Sequence, residues 1–208
     1  MEIYTKKQLK FFIQADRMMN RGTFNYSIKD RLIHIVLPDY IMKYLYMMRK
    51  LSYYTHKKHN KLTLLIRQYY RIRYYHLGIK LGFNIGYDAC GYGLVLTHYG
   101  SLGIGGSNRL GNYCVIHTLT SITDNGKVIG DALYLAKGAI ITSKLSLGNN
   151  ISVGANSVVN KSFLQNNIMI AGAPVKYIKD TEPWYVRDGE KFLNRVQKIE
   201  RLKKDWGL

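Results

Sequence analysis

The feature that most constrains this chain is a branched aliphatic residue that recurs at every sixth position through its second half. One seven-residue step, between Ile122 and Ile129, interrupts an otherwise regular series. The ten members are Ile104, Leu110, Ile116, Ile122, Ile129, Leu135, Ile141, Leu147, Val153 and Val159. A period of six matches neither the 3.6-residue turn of an α-helix nor the alternation of an ordinary strand. It predicts a triangular β-solenoid in which each rung points one aliphatic side chain inward.

The residue that follows each aliphatic is often small, which suits a chain that turns a corner after every rung. These small residues are Gly105, Gly111, Gly130, Ala136, Gly148 and Gly154. Glycine is concentrated in the same region, because 16 of the 19 glycines lie between Gly78 and Gly172. The chain is therefore expected to have two unlike parts, of which the glycine-rich part forms the solenoid.

The first part of the chain is basic and has helical spacing. Residues 1–80 carry 17 Lys or Arg and four Asp or Glu, so a net charge of +13 out of +18 lies there. Capping signals at Thr5, Ser27 and Asn60 precede segments with apolar residues at helical intervals. A hydroxyl or amide at such a position caps a helix start. We expect three or four helices that end near Gly78.

The meaning of the positive charge is open at this point. Arg67, Arg71 and Arg73 stand among tyrosines, which is typical of a packed helix with a solvated basic face. The same pattern suits a nucleic acid, an anionic membrane surface or an anionic substrate, and charge alone does not choose among them.

Cysteine usage and hydropathy indicate the compartment. Cys90 and Cys114 form no paired motif and no cluster at zinc spacing, so we expect a reducing compartment and no metal. The sequence contains no run that approaches the ~20 apolar residues of a membrane span. The predicted location is the cytoplasm, with association at the inner face of the membrane as an option for the basic helices.

Two segments carry a resemblance to a known family. Residues 102–159, with Ala171 to Pro174 after them, resemble the left-handed parallel β-helix of the hexapeptide-repeat acyltransferases. Residues 93–100 and 154–159 resemble the serine acetyltransferase branch and its relatives in capsule and lipopolysaccharide gene clusters. The resemblance covers about residues 80–178. It implies acetyl-CoA as the donor, a hydroxyl as the acceptor, and a homotrimer with active sites between neighbouring prisms.

Together, these features predict an α+β chain in three parts. Residues 1–80 form a basic helical region, residues 81–178 a left-handed β-helix acyltransferase domain, and residues 179–208 a helical C-terminal extension.

The resemblance also assigns candidate catalytic residues. Acetyl transfer to a hydroxyl needs a general base, and His98 stands where the serine acetyltransferase motif has its catalytic histidine. His117 follows the inward Ile116 at a corner that otherwise tends to be glycine or alanine, so we expect it to face the same cleft. Asp88 is the predicted acceptor for the other ring nitrogen of His98, although a backbone carbonyl would serve equally well.

Coenzyme A is expected to lie along the solenoid wall and to bond to backbone groups near the corners. Small residues permit that approach, which makes Ala136, Gly154 and Ala155 the candidates. The turn at Pro174 resembles the family's terminal coenzyme-binding turn, and Lys176 can meet a phosphate there.

Two departures from the serine acetyltransferases bear on the acceptor. Those enzymes have an aspartate immediately before the catalytic histidine, where this chain has Thr97, and an Arg-His pair in a loop that here reads Asp124 to Lys127. A site without those charges has little reason to prefer free serine. The predicted acceptor is a sugar hydroxyl, and the predicted contacts are Thr97, Tyr99, Asn108 and Tyr113.

The predicted function is therefore transfer of acetyl from acetyl-CoA to a sugar or to a capsular or lipopolysaccharide polysaccharide, anionic or lipid-linked. Serine O-acetyltransferase of cysteine biosynthesis is the alternative. A non-catalytic scaffold and nucleic-acid binding through residues 1–80 belong to other classes, and no nucleic-acid partner is predicted. A γ-type carbonic anhydrase requires three metal-binding histidines. The repeat region has only His98 and His117, which excludes this class.

Overall fold

The computed structural model describes residues 1–58 and 60–208. Four helices occupy the N-terminal part, as predicted: α1 (Lys6–Arg21), α2 (Ile28–Val36), α3 (Tyr40–His56) and α4 (Lys61–Leu81). The expected capping residues perform that role, because the side chains of Thr5, Ser27 and Asn60 each accept a bond from the third backbone N–H of their helix. Among the described residues, no helix is both long and apolar enough to cross a bilayer.

The second part is a parallel β-solenoid whose strands form three sheets. The first sheet contains β1 (Phe83–Ile85), β3 (Leu102–Ile104), β6 (Thr120–Ile122), β9 (Ile140–Ile141) and β12 (Val158–Val159). The second contains β4 (Arg109–Leu110), β7 (Val128–Ile129) and β10 (Ser146–Leu147). The third contains β2 (Val95–Leu96), β5 (Val115–Ile116), β8 (Tyr134–Leu135), β11 (Ser152–Val153) and β13 (Ile168–Ala171), and β14 (Lys176–Asp180) joins its end in antiparallel fashion.

The stacking of these strands confirms the six-residue register. Isolated bridges from Cys90 to Leu110 and from Leu147 to Phe163 extend the second sheet to five levels, so the solenoid has five coils. Equivalent aliphatics pair directly, as Leu96 does with Ile116. All ten members of the repeat are at most 4% exposed. Burial of one aliphatic per rung, each stabilising by roughly 1.5–3 kcal/mol, holds the coils together.

The C-terminal residues fold back over the outer face of the third sheet. After β14, helices α5 (Trp184–Arg187) and α6 (Glu190–Asp205) pack against each other, and α6 contacts α1. The indole Nε1 of Trp184 donates to the carbonyl oxygen of Tyr113 at 2.7 Å. The predicted fold class, with helices at both ends of a solenoid, is confirmed.

A buried ion pair fastens the N-terminal helices to the first coil. Arg49 in α3 and Asp16 in α1 are both fully buried, and the Arg49 Nε lies 2.8 Å from the Asp16 carboxylate. Arg49 also donates to the carbonyl oxygens of Cys90 and Gly91. The other carboxylate oxygen of Asp16 accepts from the backbone N–H of Leu94 at 3.0 Å. One ion pair thus joins two helices to the strand that leads into His98.

Candidate active site

Most of the residues predicted to be functional lie on one edge of the solenoid. We define the candidate edge as the turns at residues 97–100, 117–119, 136–138 and 154–156, which join the third sheet to the first. Backbone bonds between successive turns keep them stacked: Leu119 N to Ser101 O, Gly138 N to Thr118 O, and Asn156 N to Lys137 O. His98, His117, Ala136, Gly154 and Ala155 therefore share this edge.

The two histidines differ in their surroundings. His98 is exposed at the first turn of the edge, whereas His117 is half-buried in the next turn. The Thr97 hydroxyl lies 3.4 Å from His117 Nδ1, and the Tyr134 ring centroid is 5.0 Å from that of His117. Burial, with a smaller contribution from the nearby His98, lowers the pKa of His117. His117 is therefore held in its uncharged form at neutral pH.

His117 also has an unused ring nitrogen. Its Nε2 is buried and has no hydrogen-bond partner in residues 1–58 and 60–208. If the Thr97 hydroxyl donates to Nδ1, the proton of neutral His117 resides on Nε2. In this tautomer, His117 carries a free N–H donor one coil from His98.

The loop that carries His98 is supported by residues that the sequence did not identify. Gly100 N donates to the Leu81 carbonyl oxygen at 3.0 Å, and Asn20 Nδ2 donates to that of Leu94 at 2.8 Å. Asp16 binds Leu94 from the same helix as Asn20. A sequence signal existed for Asp16, since it is an acid on the otherwise apolar face that contains Phe12, Ala15 and Met19.

Asp88 does not pair with His98, so that prediction is wrong. Its Oδ2 lies 2.7 Å from His56 Nε2, and its Oδ1 accepts from the Ser52 hydroxyl at 2.5 Å. The physical reason is the solenoid's three-fold geometry. Asp88 follows β1, at the edge between the first and second sheets, while His98 follows β2 at a different edge. The ten-residue separation of Asp88 and His98 in the sequence does not show that they lie at different edges of the solenoid.

The prediction that Asn108 contacts the acceptor is also wrong. Asn108 is 0% exposed at the edge between the first and second sheets. Its Nδ2 donates to the carbonyl oxygens of Gly105 and Thr123, and its Oδ1 accepts from Lys127 N at 3.0 Å. The amide therefore stabilises the turn and is not available to a substrate.

Tyr113 is corrected for a similar reason. It lies buried at the edge between the second and third sheets, under the C-terminal helices. Its hydroxyl donates to the Glu200 carboxylate, and burial raises the pKa of Tyr113 far above its usual range. Thr97, half-buried, and Tyr99, 58% exposed, remain at the candidate edge.

The residues predicted to bind coenzyme A lie at the far end of the candidate edge. Gly154 is three coils from the His98 turn, or roughly 14 Å at the usual spacing between strands. A Cβ at Gly154 would lie 2.8 Å from the Ala171 Cβ, and Val158 N donates to the Gly172 carbonyl oxygen. The turn that follows, which contains the cis bond before Pro174, therefore adjoins the candidate edge. Pro174 and Lys176 are exposed there.

Comparison with curated proteins finds similarity over about a third of this chain. Seventy residues are 34% identical to WbbJ of Escherichia coli strain K12, described as a lipopolysaccharide biosynthesis O-acetyl transferase, over 32% of this chain and 35% of that protein. Seventy-eight residues are 24% identical to the bifunctional protein GlmU of Neisseria gonorrhoeae, over 38% of this chain and 17% of that protein. The chain thus spans about a third or less of these relatives. No family model matches the sequence.

Solved structures share the fold over most of the chain. Serine acetyltransferase of Brucella abortus strain S19 is 20% identical with a TM-score of 0.61, over 84% of this chain and 69% of that chain. The enzyme of Neisseria gonorrhoeae is 18% identical with a TM-score of 0.61, over 86% and 69%. A complex of the Brucella abortus enzyme with coenzyme A is 21% identical with a TM-score of 0.60, over 84% and 68%.

The stacked six-residue rungs define the class of the protein, a hexapeptide-repeat β-solenoid. In its repeat and its fold the chain is similar to the hexapeptide-repeat acyltransferases, and part of its sequence is similar to WbbJ and GlmU.

Proposed function

We propose that the protein moves acetyl from acetyl-CoA to a hydroxyl of a sugar or polysaccharide at the candidate edge. The observation that carries the proposal is this edge itself. The exposed His98 lies at one end of this edge. Turns that contain the small residues Ala136, Gly154 and Ala155 lead toward the exposed Lys176 at the other end. Such an arrangement supplies a base for the acceptor and a surface of small residues that the pantetheine arm of the donor can approach closely.

In the proposed reaction, His98 removes the proton of the acceptor hydroxyl as its oxygen attacks the thioester carbonyl. The tetrahedral intermediate then expels the coenzyme A sulfur, which takes the proton from His98. His117, uncharged and with a free Nε2, is the second candidate catalytic residue. Its proposed role is to donate to the developing oxyanion.

The loop at residues 123–127 lies at the edge between the first and second sheets, and it supports a sugar acceptor over free serine if the proposed trimer brings it to the site of a neighbouring copy. Its cation, Lys127, is 0% exposed, and its Nζ donates to the carbonyl oxygen of Thr123 at 2.6 Å and to the Thr123 hydroxyl at 2.9 Å. The ammonium group is thus used inside the loop and is not offered to a carboxylate. Thr97, immediately before His98, is uncharged and suits a neutral hydroxyl compound.

Serine O-acetyltransferase is the second candidate, favoured by the fold shared with the serine acetyltransferases. The deciding experiment measures thiol release from acetyl-CoA with L-serine, nucleotide sugars and capsule-type oligosaccharides as acceptors. The proposal expects a saccharide to be acetylated efficiently and L-serine poorly. Efficient acetylation of serine alone would overturn it.

Replacement of the base tests the mechanism within the same assay. His98→Ala is expected to lower turnover by about 10²–10⁴, the usual contribution of a general base. His34→Ala, in helix α2 away from the candidate edge, is the matched control and should retain full turnover. Turnover near that of the unmodified protein in His98→Ala would remove His98 from the mechanism.

A cavity of about 730 Å³ beside α4 suits an anionic part of the acceptor. Arg67, Arg71 and His76 line it together with tyrosines, whereas Arg73 does not line it. Exposed cations attract an acidic polymer, and salt screens that attraction. Arg67→Ala with Arg71→Ala should raise the KM for an anionic acceptor, as high salt should, while Arg73→Ala is the control.

The outcome of that experiment separates two roles for the arginines. A KM for the anionic acceptor that is independent of salt would mean that the arginines only solvate the helix. The remaining parts of the proposal are a cytoplasmic location and a homotrimer with active sites between neighbouring solenoids. Sedimentation equilibrium tests the trimer.

A further inference from the structure

Helix α2 has its amphipathic faces reversed relative to a normal surface helix. Ile28, Leu32, Ile35 and Val36 follow the i, i+4, i+7, i+8 spacing of one face. These four residues are between 61% and 79% exposed. A helix at a protein surface ordinarily buries its apolar face, so this one presents a face that requires a partner.

The opposite face of α2 is polar and points toward the protein. His34 is half-buried, with its ring centroid 4.6 Å from that of Tyr26. Asp30 is also half-buried and completes the capping box with Ser27. The His34 ring thus contacts Tyr26, while the aliphatic face is the one exposed to solvent.

A basic cavity lies directly beside this helix. It has a volume of about 250 Å³, and its lining includes Arg17, Arg31 and Lys43. The acid in the lining, Asp39, is already paired with Arg21 through two bonds of 2.5 and 2.8 Å. The Nε of Arg17 is buried and has no partner in the described residues. Three cations, one of them with an unpartnered Nε–H, therefore line a cavity where an anion would neutralise them.

We propose that α2 and this cavity dock the protein on an anionic lipid surface. The aliphatic face enters the boundary between headgroups and acyl chains, and a lipid phosphate lies against Arg17, Arg31 and Lys43. A second copy of the chain fits less well, because a symmetric contact would bring together two regions of charge +13. A bilayer with anionic headgroups reverses that repulsion into attraction.

The test is co-sedimentation of the full chain with vesicles, without acetyl-CoA, so its outcome does not depend on the proposed enzyme activity. The vesicles contain phosphatidylcholine alone or with phosphatidylglycerol, at low and high salt. We expect binding that requires phosphatidylglycerol and weakens with salt. Leu32→Ser with Ile35→Ser removes apolar area without changing charge and should lower the partition coefficient by about tenfold or more.

Two further variants make the test specific. Leu164→Ser with Ile178→Ser is the matched control, because these residues are 72% and 51% exposed but lie at the other end of the chain. This control should bind as the unmodified protein does. Arg31→Ala and Lys43→Ala should each weaken binding to phosphatidylglycerol vesicles by about fivefold.

Three results would overturn the proposal. One is the absence of vesicle binding by the unmodified protein, and another is equal binding by the α2 variant and its control. The third is a soluble assembly that light scattering detects in the unmodified protein and that Leu32→Ser with Ile35→Ser dissociates. That result would assign the face to a second copy of the chain.

Discussion

Replacing Asp16 by asparagine removes the negative charge of the buried ion pair while it preserves the size of the side chain. The Arg49 guanidinium then remains fully buried, with bonds to the carbonyl oxygens of Cys90 and Gly91 but no counter-charge. Breaking one side of a buried pair typically costs about 3–5 kcal/mol, because an uncompensated charge remains in the interior. For a chain of 208 residues, this corresponds to a fall in Tm of about 6–20 °C.

A matched control is available at the surface of the helical region. Arg21 and Asp39 form a pair of similar geometry, but their side chains are 38% and 10% exposed, against 0% and 1% for Arg49 and Asp16. Asparagine at position 39 retains the cap of α3, so Asp39→Asn should cost about 1 kcal/mol or less. The assay is urea unfolding followed by circular dichroism, together with the melting temperature of each variant.

Asp16→Asn also has a consequence for the candidate active site. Asp16 binds the backbone N–H of Leu94, four residues before His98. We expect Asp16→Asn to lower turnover at temperatures where it is fully folded, since the amide has only one acceptor oxygen to share between Arg49 and the Leu94 N–H that supports the loop of His98. Equal shifts in Tm for Asp16→Asn and Asp39→Asn would refute the argument from burial. Unchanged turnover in the folded variant would refute the positioning role.

Three other predictions concern the solenoid and its candidate edge. Ile141→Asp should prevent folding, as judged by solubility and circular dichroism, because it buries a carboxylate between coils; Ile140→Asp, at a position 37% exposed, should fold. The lowered pKa of His117 means that, as pH falls, this histidine is protonated in the unfolded chain before it is protonated in the folded one. Stability should therefore fall as pH drops below about 6.5. His117→Gln should lessen the accompanying fall in Tm. Gly82 has a φ of +75° and a Cβ there would lie 2.9 Å from the Gly100 carbonyl carbon, so Gly82→Ala should reduce turnover as well as lowering stability by about 1–2 kcal/mol or more. Full activity in Gly82→Ala would contradict the link between that junction and the loop of His98.

The sequence determined the solenoid because its physical cause is local and repeated. Each rung requires one inward aliphatic and one residue that tolerates a corner, and both recur at a fixed interval that can be counted along the chain. The capping residues at Thr5, Ser27 and Asn60 could be identified for the same reason, since a cap and its partner are three residues apart. The gathering of His98, His117 and Gly154 on one edge also follows from this period.

Contacts between distant parts of the chain were decided only by the tertiary structure. Asp88 binds His56 and Tyr113 binds Glu200 because a helix packs on a coil of the solenoid, and Asp16 binds Arg49 because two helices pack against each other. The outward face of α2 was equally hidden, because spacing shows that a helix is amphipathic but not which face meets the protein. A hydrogen bond depends on distance in space, and the six-residue period reports distance only along the solenoid, not between the solenoid and the helices that cover it.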